Sequence, residues 1–178
     1  MATILSAQCT DARVNIVTSA LFQKYTSPIQ FAEAIPEELE MDIFSTGFYK
    51  AKAKNIRETA RIIVEQYNGE VPNTMEQLLL LPGVGRKTAN VVLGHCFNTP
   101  GIVVDTHVKR ISNRLGFVES DDAVKIEFEL MKIIPKQNWI QYNHLMINFG
   151  RAICASQRPK CLICPLTEYC EFVKILVV

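Results

Sequence analysis

No stretch of this chain is apolar for long enough to form a transmembrane helix, and no signal peptide opens it. A membrane role is therefore not expected. Excess charge is lacking too. Nineteen Lys and Arg stand against eighteen Asp and Glu, for a formal net charge of +1. No global basic field announces a nucleic-acid binder, so any such binding must use local patches and backbone donors. There is no repeat at a solenoid period and no low-complexity linker. Isolated cysteines are few: Cys9 and Cys96 stand alone in apolar helical surroundings and read as reduced, buried thiols of a cytosolic protein. What is plentiful is apolar residues, 48% of the 178. That is ample for one globular unit or for two small lobes.

The pattern is helical almost throughout. Asp11 can cap a helix with Val14, Val17, Ala20 and Leu21 on its apolar face. Ser27-Pro28 and Pro36-Glu37-Glu38 place proline at first helical positions, and Gly47 ends the second of these helices. A longer amphipathic helix runs over about residues 50 to 67, through Ile56, Ala60, Ile63 and Tyr67, and closes at Asn68-Gly69. Thr74 caps Met75–Leu80. Further helices are predicted near Lys87–Phe97, Thr106–Leu115, Asp121–Ile134 and Trp139–Ala155. Ile102-Val103-Val104 has strand composition but is too short to seed a sheet. The fold class expected is all-α.

Between the helices at Met75 and Lys87 lies Leu81-Pro82-Gly83-Val84-Gly85-Arg86, which makes the pair a helix-hairpin-helix. A glycine hairpin leading into a helix leaves unpaired N–H groups at the helix start, where they suit a phosphate. The partial positive charge there favours a neutral amine over an ammonium ion, and a neutral lysine amine can form a Schiff base. Lys87 is thus a candidate nucleophile beside a phosphate cradle. Downstream, Val103-Val104-Asp105-Thr106-His107 supplies a carboxylate at the start of another helix. Asp105 also fits a plain helix N-cap, and the two roles can coexist. His107 reads as a structural hydrogen-bonder.

The tail carries Cys154, Cys161, Cys164 and Cys170, spaced C-x6-C-x2-C-x5-C. Four clustered cysteines without signs of secretion read as a metal site. Only one two-residue knuckle is present, Cys161–Cys164, whereas structural zinc usually uses two. An iron–sulfur cluster fits the uneven spacing at least as well, and spacing alone leaves both open. Arg151, Arg158 and Lys160 lie close by in sequence. Arg158 and Lys160 suit either support of the thiolates or contact with a phosphate backbone.

Together these residues resemble the endonuclease III family of DNA glycosylases, in the helix-hairpin-helix superfamily. The motifs that carry the resemblance are Leu5-Ser6-Ala7-Gln8-Cys9-Thr10-Asp11, Gly47-Phe48-Tyr49-Lys50-Ala51-Lys52-Ala53, Leu81–Asn90, Val104-Asp105-Thr106-His107 and the four cysteines. The resemblance implies two helical lobes, taken here as residues 1–99 with the hairpin and 100–178 with the cysteines. It implies a [4Fe-4S] cluster on the cysteines, Lys87 as nucleophile and Asp105 as its essential carboxylate. It also implies coupled glycosylase and lyase activity on oxidised or ring-saturated pyrimidines in double-stranded DNA, by a monomer that is cytoplasmic or nucleoid-associated. Family members begin upstream, with a helix that packs on the cluster lobe. Here Met1 falls inside what reads as the first helix of the hairpin lobe, so that helix is expected to be truncated. The apolar Ile175-Leu176-Val177-Val178 is expected to cover the surface so left.

A base inside a duplex must be flipped out before it can react. Gln8 and Phe48 are the candidate wedges for the opened duplex, and Gly83, Val84, Gly85 and Arg86 the candidate phosphate grip. Phe48 as a core aromatic and Gln8 as a loop amide are the plainer readings. Lys50, Lys52, Lys54, Arg57 and Tyr49 suit either a DNA-facing or a solvated helix face. Two other functions compete: a non-catalytic DNA-binding module, which needs neither Lys87 nor Asp105, and a monofunctional mismatch glycosylase, which by the resemblance lacks a lysine at this position.

Overall fold

In a computed structural model the backbone is described for residues 1–176 and side chains for 1–175. Among the described residues eleven α-helices follow one another: α1 (Ala2–Leu5), α2 (Asp11–Lys24), α3 (Pro28–Ala32), α4 (Pro36–Asp42), α5 (Tyr49–Tyr67), α6 (Met75–Leu79), α7 (Arg86–Cys96), α8 (Thr106–Leu115), α9 (Ala123–Ile133), α10 (Trp139–Ala152) and α11 (Glu171–Leu176). Short 3-10 turns intervene, and no strand occurs among the described residues. The all-α expectation is met. Thr10, not Asp11, is the N-cap of α2: its side chain accepts from the Arg13 N–H. The expected helix at Trp139 ends at Ala152 rather than Ala155. The chain forms two compact units, Met1–Leu93 and Gly94–Val178, and the division falls inside α7.

The first unit is built around α5. Ala53, Ile56, Ala60 and Ile63 recur at helical spacing and are buried. Leu5, Leu39, Ile43 and Phe31 join the same core. Ile56 is fully buried; a side chain of that size stabilises by about 1.5–3 kcal/mol. Asn68 ends α5 with φ 53°, and the Gly69 N–H just beyond it donates to the Ile63 carbonyl at 2.9 Å.

The second unit has its own core of Ile102, Val108, Val118, Ile126, Leu130 and Tyr142. The Tyr142 hydroxyl sits 2.8 Å from the Ser112 hydroxyl. Ile102-Val103-Val104 is not a strand. Its backbone is tied to α10 by the amide of Asn143, whose Oδ1 accepts from the Val103 N–H at 3.1 Å and whose Nδ2 donates to the Gly101 carbonyl at 3.2 Å. Asp122 caps α9 by accepting from the Val124 and Lys125 N–H groups.

Two expectations about cysteine and the tail change. Cys96 is exposed and Cys9 only half-buried, because each lies where its helix or loop leaves the core. Ile175 is 74% exposed, against the covering role expected of it; the side chain of Leu176, and Val177 and Val178, lie outside the described residues.

Candidate active site

The hairpin is held from below. Leu81 is buried, and the Val84 N–H closes the turn onto the Leu81 carbonyl at 3.0 Å. Thr59, buried on α5, donates its hydroxyl to the Pro82 carbonyl at 2.8 Å. Gly83 has φ +76°, and a Cβ there would meet the Asn55 amide nitrogen at 2.9 Å. A side chain is therefore excluded twice, by backbone conformation and by space. Gly85 differs: a Cβ there would touch nothing within 4 Å, and its carbonyl accepts the first α7 bond, from the Ala89 N–H at 2.9 Å. The N–H groups of Arg86, Lys87 and Thr88 precede that bond, which is the anion-binding arrangement of a helix start.

Within the first turn of α7, Lys87 is exposed while Ala89 and Asn90 are buried. Arg86 is half-buried. Val84 turns inward, packs against the core and borders an apolar pocket of about 340 Å³ with Phe22, Phe31 and Ile63. Its role in the hairpin is to anchor it.

Gln8 and Phe48 share an uncommon property. Each is a non-glycine residue in the left-handed region, with φ 51° and φ 49°. Phe48 is 68% exposed, so the core-aromatic reading is set aside. Gln8 is exposed as well. Both border one pocket of about 160 Å³, together with Ala51, Asn55 and Gly83. Three predicted contact residues, far apart in sequence, are thus gathered around one opening. Lys52, in the same pocket wall, departs from the DNA-facing and solvated readings alike. It is 5% exposed, and its ammonium donates to the Leu5 carbonyl at 2.9 Å and the Thr46 carbonyl at 2.8 Å. Burial lowers its pKa, and the nearby Cys9 sulfur pulls the other way.

In the second unit, Asp105 is the N-cap of α8. Its Oδ1 accepts from both the His107 and Val108 N–H groups at 2.8 Å. The half-buried carboxylate is held through that one oxygen. His107 faces Arg110 at 3.2 Å and packs so closely on Gly150 that a Cβ there would overlap its Nδ1. That is the structural role expected of it.

The four tail cysteines are all unpaired, and all four line one cavity with Arg114, Ile153 and Phe172. Thr167 donates its hydroxyl toward the Cys161 and Cys164 carbonyls, both at 2.8 Å, which fixes the two-residue knuckle. Cys170 is buried and its thiol lies 3.3 Å from the Arg114 carbonyl. The Arg114 guanidinium donates to the Cys154 sulfur at 3.3 Å and to the Ala155 and Ser156 carbonyls. It also lies 4.6 Å from the Phe172 ring centroid. Thiolates need such positive charge and donors nearby. Arg158 and Lys160 are exposed, Arg158 with φ 52°, and Lys160 borders the cysteine cavity. Among the described residues, no three His, Cys, Asp or Glu side chains form a site for a single metal ion.

Arg114, Asn55, Thr59, Asn143 and the inward Lys52 were not legible as site residues. Each has a partner 23 or more residues away in sequence, as Thr59 has in Pro82 and Lys52 in Leu5. No local pattern marks such partners.

Residues 1–136 match the model of the HhH-GPD superfamily, described as base excision DNA repair protein. The endonuclease III of Synechocystis is 53% identical over 171 residues, covering 96% of this chain and 78% of that protein. The endonuclease III of Bacillus subtilis is 50% identical over 172 residues, again covering 96% and 78%. A solved structure of a trapped endonuclease III–DNA covalent intermediate superposes with a TM-score of 0.92 at 50% identity, covering 99% of this chain and 84% of the other. The chain belongs to the endonuclease III family of the HhH-GPD superfamily.

Proposed function

We infer that this chain is a base-excision-repair DNA glycosylase with lyase activity at apurinic and apyrimidinic sites, working on double-stranded DNA through a lysine Schiff base. The observation that carries the reading is Lys87, exposed in the first turn of a helix that starts directly after the glycine hairpin. A pure DNA binder has no use for an amine there, and a solely hydrolytic glycosylase has no use for a covalent intermediate. The relative captured as a covalent intermediate with DNA agrees with this chemistry.

The steps follow from the groups in hand. The hairpin N–H groups grip a phosphate, and Gln8 and Phe48 enter the space that the flipped nucleotide leaves. The Lys87 amine attacks C1′ of the sugar, and the C1′–N bond to the base breaks with its electron pair leaving on the base. The nitrogen lone pair then expels O4′, which takes up a proton as the sugar ring opens, and the resulting iminium acidifies the C2′ proton. Loss of that proton expels the 3′ phosphate by β-elimination and cuts the strand. Asp105, held by its N-cap bonds, stabilises the cationic sugar and takes up protons. Oxidised or ring-saturated pyrimidines are the substrates proposed. Arg158 and Lys160, exposed beside the cysteine loop, are proposed as phosphate contacts.

The four free thiols around one cavity fit a [4Fe-4S] cluster, with Cys154, Cys161, Cys164 and Cys170 as ligands and Arg114 as the counter-charge. When bound it supplies cross-linking of the tail rather than any bond-making. No helix among the described residues is long and apolar enough to cross a membrane. A cytoplasmic or nucleoid-associated location is proposed, as its substrate requires.

Borohydride added during turnover tests the central step. It should reduce the imine and leave the chain covalently joined to damaged DNA. Lys87→Gln should abolish trapping and strand cleavage while lesion binding remains. Undiminished trapping in that variant would assign the chemistry to another amine.

A further inference from the structure

Lys52 is a charged residue in the core of the first unit, beside Ala53 and Ile56, and no step of the reaction above uses it. Burying an amine costs free energy unless its hydrogen bonds are satisfied. Here two of them are, and by particular partners. The Leu5 carbonyl ends α1 and lies three residues before Gln8. The Thr46 carbonyl lies two residues before Phe48. One nitrogen therefore ties together the two loops that border the pocket.

Those loops need the tie. Gln8 and Phe48 both hold left-handed backbone conformations, which non-glycine residues adopt only when their surroundings over-determine them. Gly47, just before Phe48, is at φ +70°, so two consecutive residues have positive φ there. Neither loop has a regular ladder to hold it. α1 is only four residues long, and Thr46 ends a three-residue 3-10 turn. Apolar burial positions the helices behind the loops, but a directional contact is required to set the loops against each other.

We propose that Lys52 is a positioning residue for the reaction: a buried clamp that sets the Gln8 and Phe48 loops at the spacing needed to fill the gap left by the flipped nucleotide. The inference rests on Gln8 and Phe48 acting as the wedges. The amine touches neither DNA nor the reacting sugar. It works through the Leu5 and Thr46 carbonyls, and both the charged and the neutral amine carry enough N–H groups to serve them.

The test uses the full chain and a duplex oligonucleotide with one abasic site. Two quantities are read: strand cleavage, and the fluorescence of 2-aminopurine placed opposite a tetrahydrofuran abasic analogue, which reports filling of the gap. Lys52→Met keeps the length and apolar stem but has no donor. It should lower duplex cleavage about tenfold or more, since ångström misplacement of positioning groups is that costly. It should also remove the fluorescence change, as Phe48→Ala should. The Lys52→Met/Phe48→Ala double variant should be within about twofold of the worse single one, because the clamp has nothing left to position. Lys52→Arg, which retains donors, should recover part of both signals, and serves if Lys52→Met does not fold. Multiplying losses in the double variant, or full activity and fluorescence in Lys52→Met, would overturn the clamp while leaving the wedges in place. Loss of borohydride trapping in Lys52→Met even on a single-stranded abasic oligonucleotide would make Lys52 the nucleophile and overturn it too. Silence in both Gln8→Ala and Phe48→Ala would instead defeat the wedge reading itself.

Discussion

The hairpin and the cysteine loop are both irregular backbone with a task, yet they are held in opposite ways. The hairpin rests on a core. Leu81 is buried, Thr59 reaches up from α5 to Pro82, and Gly83 sits against Asn55. The cysteine loop has little to rest on. Leu162 and Ile163, between two cysteines, are 103% and 69% exposed, and Tyr169 is 70% exposed. What shapes that segment is short 3-10 turns, the Thr167 hydroxyl and the Arg114 guanidinium. A loop supported by apolar burial needs no ligand to fold. A loop whose apolar side chains face water requires a cross-link, because conformational entropy opposes ordering at every residue.

The largest expected effect breaks this contrast at the cysteines. Cys164→Ser should lose the iron and sulfide and unfold residues after about Cys154, since metal-site binding energy is folding energy. The hairpin unit should stay helical. Hydrogen exchange checks both halves: amides at Lys160 and Cys164 should lose protection while those of α5 keep it. Stoichiometric zinc without sulfide in the purified protein would remove the iron–sulfur reading. Next comes Gly83→Ala, which attacks the self-supported loop. Alanine must take φ +76° and its Cβ meets the Asn55 Nδ2, Cβ and Cγ atoms at 2.9 to 3.3 Å. Rotation of the amide does not move Asn55 Cβ away, so backbone must give. We expect a loss of about 1–3 kcal/mol, seen in thermal or denaturant unfolding, with iron content unchanged.

The two regions were also unequally legible in the sequence. Helix existence followed from apolar spacing: Ala53, Ile56, Ala60 and Ile63 fall on one face, and all are buried. Turn chemistry marked the hairpin, because Gly83 and Gly85 flank a single residue before a helix. The four cysteines were legible as a candidate metal site by proximity alone. Lys52 could not be read, since its neighbours Lys50 and Lys54 are exposed and the same alternation suits a solvated face. Only the fold brings the Leu5 and Thr46 carbonyls to it. Arg114 was missed for the same reason: it lies on α8, 40 residues from Cys154. Long-range polar partners leave no periodic trace. Phe48 was ambiguous because aromatics usually go inside, and its left-handed N-cap position, which turns it outward, is a backbone property.

A smaller effect separates ordinary support from function within the second unit. Asp122 accepts from the Val124 and Lys125 N–H groups at 2.7 and 3.0 Å, and these bonds hold its pKa below the usual carboxylate value. A group with a depressed folded pKa contributes stability above its unfolded pKa and loses it as pH falls through the folded one. Asp122→Ala should lower stability at neutral pH and do so progressively less in acid below the usual Asp range. Cleavage should be unaffected, because this cap serves α9 alone.

The smallest expected change in stability sharpens the comparison most. Gly85 stands two residues from Gly83, yet a Cβ there meets no atom within 4 Å. Gly85→Ala should therefore leave unfolding within about 0.5 kcal/mol of the parent, as substitutions away from packing usually do. Open space at a residue directly before a helix start is where a phosphate approaches the backbone, and a methyl group obstructs that approach. Binding to duplex DNA should weaken, and by the same factor with and without a lesion, since phosphate contacts carry no sequence or lesion information. Fluorescence anisotropy on matched and abasic duplexes at one salt concentration measures this. A loss confined to the abasic duplex would move Gly85 from the phosphate grip into the base pocket. A loss of stability equal to that of Gly83→Ala would mean that both glycines serve the turn and neither the DNA.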